Sequence, residues 1–213
     1  RDGGGKEIGE GYPLCKAVAT DIESKRVIPL CCEVYSYLAE DFKSENAQIL
    51  KVIDTIFEHL GDRGIHAHDR GGDRGVIYGK YLRRDKPQRF VIRLVDRDVM
   101  HQGRRRNCCE LAKVLPTPYE TALIVYEEGK EKKRTVRYNA IAVKLPSYGH
   151  KLYLVVVKGF GEEPMMLLTS CWVEKNRKES IWRIVEYYLA RWKCDESYRY
   201  IKQCYNLEDV RVQ

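Results

Sequence analysis

Hydrophobic and polar residues alternate and recur along this chain in a way that separates strands from helices. Two apolar segments, Tyr12 to Thr20 and Val27 to Tyr35, flank the polar turn Asp21 to Arg26, which predicts a β-hairpin. From Ser44 to Leu60 the apolar positions Ile49, Leu50, Ile53, Ile56, Phe57 and Leu60 keep helical spacing, with Ser44 as N-cap and Gly61 as stop. Gly64 to Asp69 is a short strand that runs into the turn Arg70 to Gly75; Val76 to Leu82 follows as a helix and Arg89 to Val95 as a strand. Between about Cys108 and Tyr148 the texture changes to short β runs, Ala122 to Tyr126, Thr135 to Tyr138 and Ala140 to Leu145, which predicts a β-rich insertion at about 108–150. Leu152 to Val157 and Met165 to Leu168 are buried strands around the Gly159 to Gly161 loop, and Glu179 to Tyr205 is one long final helix. Strands alternating with helices, with one β-only stretch, favour a layered α/β domain.

On that last helix Tyr188, Arg191, Asp195 and Lys202 fall at steps of three, seven and fourteen residues. At roughly 100° per residue all four stay within about 60° of one face. A tyrosine, an arginine, a carboxylate and a lysine in one row form an edge suited to phosphate. Glu196 competes with Asp195 but is turned roughly 100° away from the row. An i, i+4 ion pair between Arg191 and Asp195 accounts for those two residues without any function, yet leaves the tyrosine and the lysine unexplained.

Composition narrows the classes. At 213 residues and 44% hydrophobic, the chain can bury one large core. Its longest apolar runs are far below the roughly 18 residues a membrane-spanning helix needs, so no membrane partner is expected. The first ten residues carry no apolar signal-peptide region, and the chain reads as a fragment. The eight cysteines include two adjacent doublets and no CxxC pair, which points to reduced thiols in a cytoplasmic protein. The net charge of +7 permits an anionic partner, and Arg104 to Arg106 concentrate part of it.

Asp69 ends an apolar strand just before a Gly-Gly turn, at the C-terminal sheet edge where α/β domains gather ligand sites; an ordinary turn aspartate is the competing reading. His66 and His68 share one strand face, but no third ligand with zinc spacing follows, which makes them surface or packing residues. The glycine turn lacks the GK[ST] ending of a phosphate loop, and no constellation supports cysteine catalysis.

The segment from Tyr188 to Gln203, Tyr-Leu-Ala-Arg-Trp-Lys-Cys-Asp-Glu-Ser-Tyr-Arg-Tyr-Ile-Lys-Gln, resembles the tyrosine-arginine-glutamate-lysine signature of bacterial insertion-sequence transposases of the DDE type. Tyr205 to Arg211, Ile28 to Ser36, Ser44 to Asn46, His68 to Arg74, Phe90 to Arg93 and Pro164 to Thr169 are similar to the same family in the same order, so the likeness covers nearly the whole chain. It implies an RNase H-like mixed sheet with flanking helices, a β-rich insertion before the last catalytic helix, and DNA cleavage and strand transfer by three carboxylates holding two Mg²⁺ (or Mn²⁺) ions. Hard cations take oxygen ligands, which suits aspartate and glutamate.

By that resemblance Asp69 matches the second catalytic acid, and Asp195 stands where the family has glutamate, with Glu196 as its rival. Arg191, Lys202, Tyr188, Arg70 and Arg93 would contact DNA phosphates or bases. Asp195 is one methylene shorter than glutamate, which implies weakened metal binding. The strand bearing the first catalytic aspartate is absent ahead of the segment resembling Arg1 to Tyr12, and neither Asp2 nor Asp21 replaces it. The implied partners are transposon ends and target DNA, engaged by a homodimer in the bacterial cytoplasm and nucleoid. Two other readings remain open from the residues: a catalytically dead DNA-binding remnant, and a structural or interaction domain.

Overall fold

The computed structural model describes residues 12–83, 87–127 and 130–205. The predicted hairpin forms from β1 (Leu14–Thr20) and β2 (Val27–Val34), which pair antiparallel as a separate two-stranded sheet. Asp21 closes its turn by accepting from the Glu23 and Ser24 N–H groups at 2.8 and 3.1 Å, the local bonding for which turn aspartates are favoured. The register slips between Ala17 and Val18, opposite Pro29, which has no N–H to give the ladder. Helix α1 (Glu45–Leu60) starts as the sequence predicts, with the Ser44 hydroxyl accepting from Ala47 N–H at 3.1 Å, and stops at Gly61, whose φ of 62° suits glycine.

The main sheet has six strands in the order β3-β4-β10-β9-β8-β7. These are β3 (His66–His68), β4 (Phe90–Arg93), β7 (Tyr119–Glu127), β8 (Lys130–Val143), β9 (Leu152–Lys158) and β10 (Met165–Thr169), and only β3 and β4 run parallel. Side chains alternate between two cores. Phe90, Ile92, Leu154, Val156 and Leu168 pack with α1, α2 (Gly75–Leu82) and α3 (Cys108–Val114), while Val91, Val155, Val157 and Leu167 pack under α4 (Lys178–Ala190). Helices on both faces explain why these strands read as unbroken apolar runs.

Three sequence expectations are corrected. Strands β7 and β8 of the β-rich stretch extend the main sheet through β8–β9 pairing. The runs Thr135 to Tyr138 and Ala140 to Leu145 lie largely on one strand, β8, because Asn139 stays in the ladder and donates to Pro116 O at 2.7 Å. Cys108 to Val114, read as β texture, is helical because Asn107 caps it, accepting from the Cys109 and Glu110 N–H groups. Ahead of it stands a small hairpin, β5 (Asp98–His101) and β6 (Arg104–Asn107).

The third correction concerns the final helix, which is two helices, α4 and α5 (Trp192–Tyr205), meeting at Arg191. Arg191 N–H bonds back to Tyr188 O at 3.1 Å, a turn tighter than α, and the Arg191 carbonyl accepts from Cys194 N–H at 2.8 Å. Neither proline nor glycine causes the break. Helix α4 follows the sheet, whereas α5 follows the β1–β2 hairpin, where Lys16 Nζ donates to Ser197 Oγ at 2.5 Å and Tyr198 Oη donates to Leu14 O at 3.1 Å. One straight axis cannot serve both surfaces, so a single 100° rotation rule does not carry from Tyr188 to Lys202.

The turn after β3 is fixed by Asp73, whose side chain is 3% exposed. Its Oδ1 accepts from Arg97 Nε at 2.5 Å and Tyr78 Oη at 3.1 Å, and its Oδ2 from Val95 N–H at 2.9 Å. The Arg97 guanidinium lies 4.7 Å from the centre of the Tyr78 ring. Asp73→Ala leaves this arginine and two further donors without their acceptor, and should lower unfolding free energy by about 2–4 kcal/mol in urea titration. Gly72 packs so closely that an added Cβ would stand 2.3 Å from His68 Cβ. Gly72→Ala should therefore cost about 1–3 kcal/mol in the same measurement.

Burial pushes the His66 and His68 imidazoles down to about 4 from an ordinary value near 6.5, and His68 Nε2 sits 2.7 Å from Tyr81 Oη. Both rings are thus packing residues. Because the unfolded chain takes up protons at a higher pH than the folded one, their contribution to stability is complete above pH 6.5 and is lost as pH falls toward 4. Urea midpoints should drop across that window, and the drop should be shallower in His66→Gln/His68→Gln.

Candidate functional site

The parallel register pairs His68 with Ile92 and so sets Asp69 beside Arg93 where β3 and β4 end. His66 and His68 turn toward Tyr81 of α2, so alternation sends Asp69 and Arg93 to the opposite face, the one covered by α4. Asp69 is exposed and caps a short 3₁₀ turn, Arg70–Gly72, its Oδ1 accepting from Gly71 N–H at 2.8 Å. That bond is the ordinary role of a turn aspartate. Arg70 is exposed on the same turn. Arg93 is half-buried, and its Nε is enclosed without a hydrogen-bond partner among the described residues.

Across from this edge stands the α4–α5 junction. The Arg191 side chain is 18% exposed and pairs with Asp195, Nη2 to Oδ2 at 3.0 Å, as i, i+4 spacing predicts. Its Nε, like that of Arg93, is buried and unpartnered. Burial opposes the charge on Arg191, but the Asp195 carboxylate, with Tyr188 and Asp69 behind it, more than offsets this and raises its pKa. Burial raises the Cys194 thiol, and Asp195 and Asp69 push it the same way. Asp69, Arg191, Cys194 and Asp195 therefore occupy one electrostatic neighbourhood.

Tyr188 is 3% exposed and belongs to the core under α4. Its predicted contact with a phosphate or base is corrected accordingly: the ring supports the Arg191 guanidinium, 6.0 Å from its centre, rather than facing solvent. The sequence held the signal, since Ile181, Ile184, Val185 and Tyr188 form one buried ridge at helical spacing. Glu196 points elsewhere and pairs with Lys193 at 2.6 Å, which leaves Asp195 as the acid on the Arg191 side. Lys202 lies within α5, but its side chain is outside the described residues, as are Asp2 and the segment 206–211.

Between these walls runs a groove of about 620 Å³. One side is β1, from Cys15 to Thr20, and the other is β3 with its approach, from Ile65 to Asp69. Apolar residues of α1, among them Ile49, Val52, Ile53 and Ile56, line it as well, and Tyr187, Ala190, Arg191 and Cys194 complete it. Strand β1 pairs only with β2, and β3 only with β4, so among the described residues each keeps one unpaired backbone edge.

The donor chemistry of Asp69 and Asp195 fits a hard divalent cation. The count falls short, because among the described residues no three His, Cys, Asp or Glu side chains gather where they could hold a metal ion. Arg191 also competes for Asp195. Among the same residues no helix is long and apolar enough to cross a membrane. Sequence reasoning missed the role of Asp73, which it placed in a turn; the pattern Asp69-Arg-Gly-Gly-Asp73 marks a turn with two acids, of which one is exposed at the groove and the other locks the turn from inside. The chain matches no protein-family model, and no match is found among curated proteins.

Proposed function

We propose that the chain is the RNase H-like catalytic core of an insertion-sequence DDE transposase, which cleaves DNA and transfers its strands. The observation that carries the reading is that Asp69, at the C-terminal edge of β3, and Arg191, which holds Asp195 at the α4–α5 junction, line one groove. Arg93 and Arg191 each hold a buried Nε with no partner, and a phosphate oxygen supplies the missing acceptor. Arg70 adds an exposed charge at the same edge.

Asp69 and Asp195 are the residues that would hold Mg²⁺ or Mn²⁺. When bound there, the metal would supply activation of a water or 3′-hydroxyl and charge stabilisation on the leaving oxygen. The chain's own part is to fix the phosphodiester between the two arginines and to present oxygen ligands from a strand end and a helix start. A further carboxylate has a place to enter: the open edges of β1 and β3 leave a groove in which an added strand finds hydrogen-bond partners on both sides. The partners are then transposon ends and target DNA, with two copies of the chain acting on paired ends.

A DNA-binding remnant without cleavage is the second reading, favoured by the Arg191–Asp195 ion pair, which neutralises the shorter acid. Nicking of supercoiled plasmid with Mg²⁺ separates the two. The enzyme reading expects nicking that falls by about 100-fold or more in Asp69→Asn and rises in Asp195→Glu. DNA binding with a steep salt dependence and no nicking leaves the remnant. No binding even at low salt removes both.

A further inference from the structure

The β5–β6 hairpin stands outside the groove, and its charge has no role in the site described above. Its strands pair Asp98 with Asn107, Val99 with Arg106, Met100 with Arg105 and His101 with Arg104, leaving Gln102 and Gly103 as a two-residue tip. Both tip residues have positive φ, 50° and 75°, the left-handed conformation of a type I′ turn. All three arginines of β6 are exposed. Strand alternation sends Arg105 to one face, where its Nε meets Asp98 Oδ2 at 2.7 Å, and Arg104 and Arg106 to the other. Neither Arg104 nor Arg106 makes an ion pair or a side-chain hydrogen bond with a described residue.

The hairpin is held firmly. Val99 is fully buried, and Met100 exchanges two backbone hydrogen bonds with Lys144, at 2.8 and 3.0 Å. At its base Arg97 is tied to Asp73. Two uncompensated guanidinium groups on a pre-positioned two-stranded ribbon cost little entropy to order against a partner, and arginine is the side chain best matched to phosphate. A ribbon of this width also fits the major groove of a DNA duplex.

We infer that the β5–β6 hairpin is a second DNA-contact surface, with Arg104 and Arg106 on duplex phosphates. The inference rests on the DNA-binding part of the proposed function and adds to it a contact away from the groove. A mixed-sequence fluorescein-labelled duplex, titrated with the full chain over a range of salt concentrations, tests it. For Arg104→Ala/Arg106→Ala the slope of log affinity against log salt should shrink by about 1.8, that is 0.9 for each phosphate contact, and affinity at fixed moderate salt should fall about tenfold. Arg104→Lys/Arg106→Lys should keep the slope. Thermal melting should not change, because neither side chain has a partner to lose.

Four outcomes overturn it, and they are separable. An unchanged slope while the wild-type chain binds removes the hairpin contact and leaves the proposed function standing. An equal loss in Arg177→Ala/Arg183→Ala, exposed arginines of the α4 region, reduces the effect to net charge. Binding to phosphatidylserine vesicles that depends on Arg104 and Arg106, beside duplex binding that does not, makes the surface a lipid contact. Absence of duplex binding by the wild-type chain at low salt overturns the hairpin contact together with the proposed function.

Discussion

The burial of the central sheet on both faces is the constraint from which the rest follows. Strands β4, β9 and β10 have nearly every side chain enclosed, so each face must be covered by a helix, and α4 is committed to the face that Val91, Val155 and Leu167 present. That helix cannot continue in line once it has to meet the β1–β2 hairpin. The chain turns at Arg191, and the turn brings its guanidinium, paired with Asp195, to the groove that Asp69 also lines. Packing therefore places the charges. Each arginine at the edge, Arg93 and Arg191, keeps a buried donor unsatisfied, a cost that structures retain where a ligand supplies the acceptor.

The groove follows from the same constraint. Because the hairpin is attached through α1 and α5 and not through the sheet, a gap stays between β1 and β3, walled by two backbone edges unpaired among the described residues and floored by apolar side chains. Such a gap favours an extended segment of polypeptide over a compact ligand, since only a strand satisfies both edges at once. Of the two candidate carboxylates, Asp69 lines this gap, and Asp195 is tied to Arg191, which lines it too.

Much of this was legible in the sequence where local chemistry and tertiary packing agree. The Ser44 cap and Gly61 stop of α1, the hairpin turn at Asp21 and the strand ending at Asp69 are each specified by residues in contact along the chain. The failures share a cause, which is that distant packing decided. Nothing in Tyr188-Leu-Ala-Arg-Trp marks a break, because the two surfaces that pull α4 and α5 apart lie elsewhere in the sequence. Asn139 separates two β runs in the sequence, yet the Pro116 carbonyl holds it in one long strand. Asn107 was a readable cap, hidden by the arginine triplet before it. Asp69 and Arg191 were singled out from the sequence and line one groove in the structure, whereas the burial of Tyr188 required the ridge it completes.

The central claim is that Asp69 and Asp195 serve one metal site across the groove. Fe²⁺ substituted for Mg²⁺ and driven to generate hydroxyl radicals with ascorbate and peroxide cuts the backbone beside the bound ion. The account predicts fragments ending near both residue 69 and residue 195, suppressed together by excess Mg²⁺. Cleavage at only one of the two, or at neither, would contradict it.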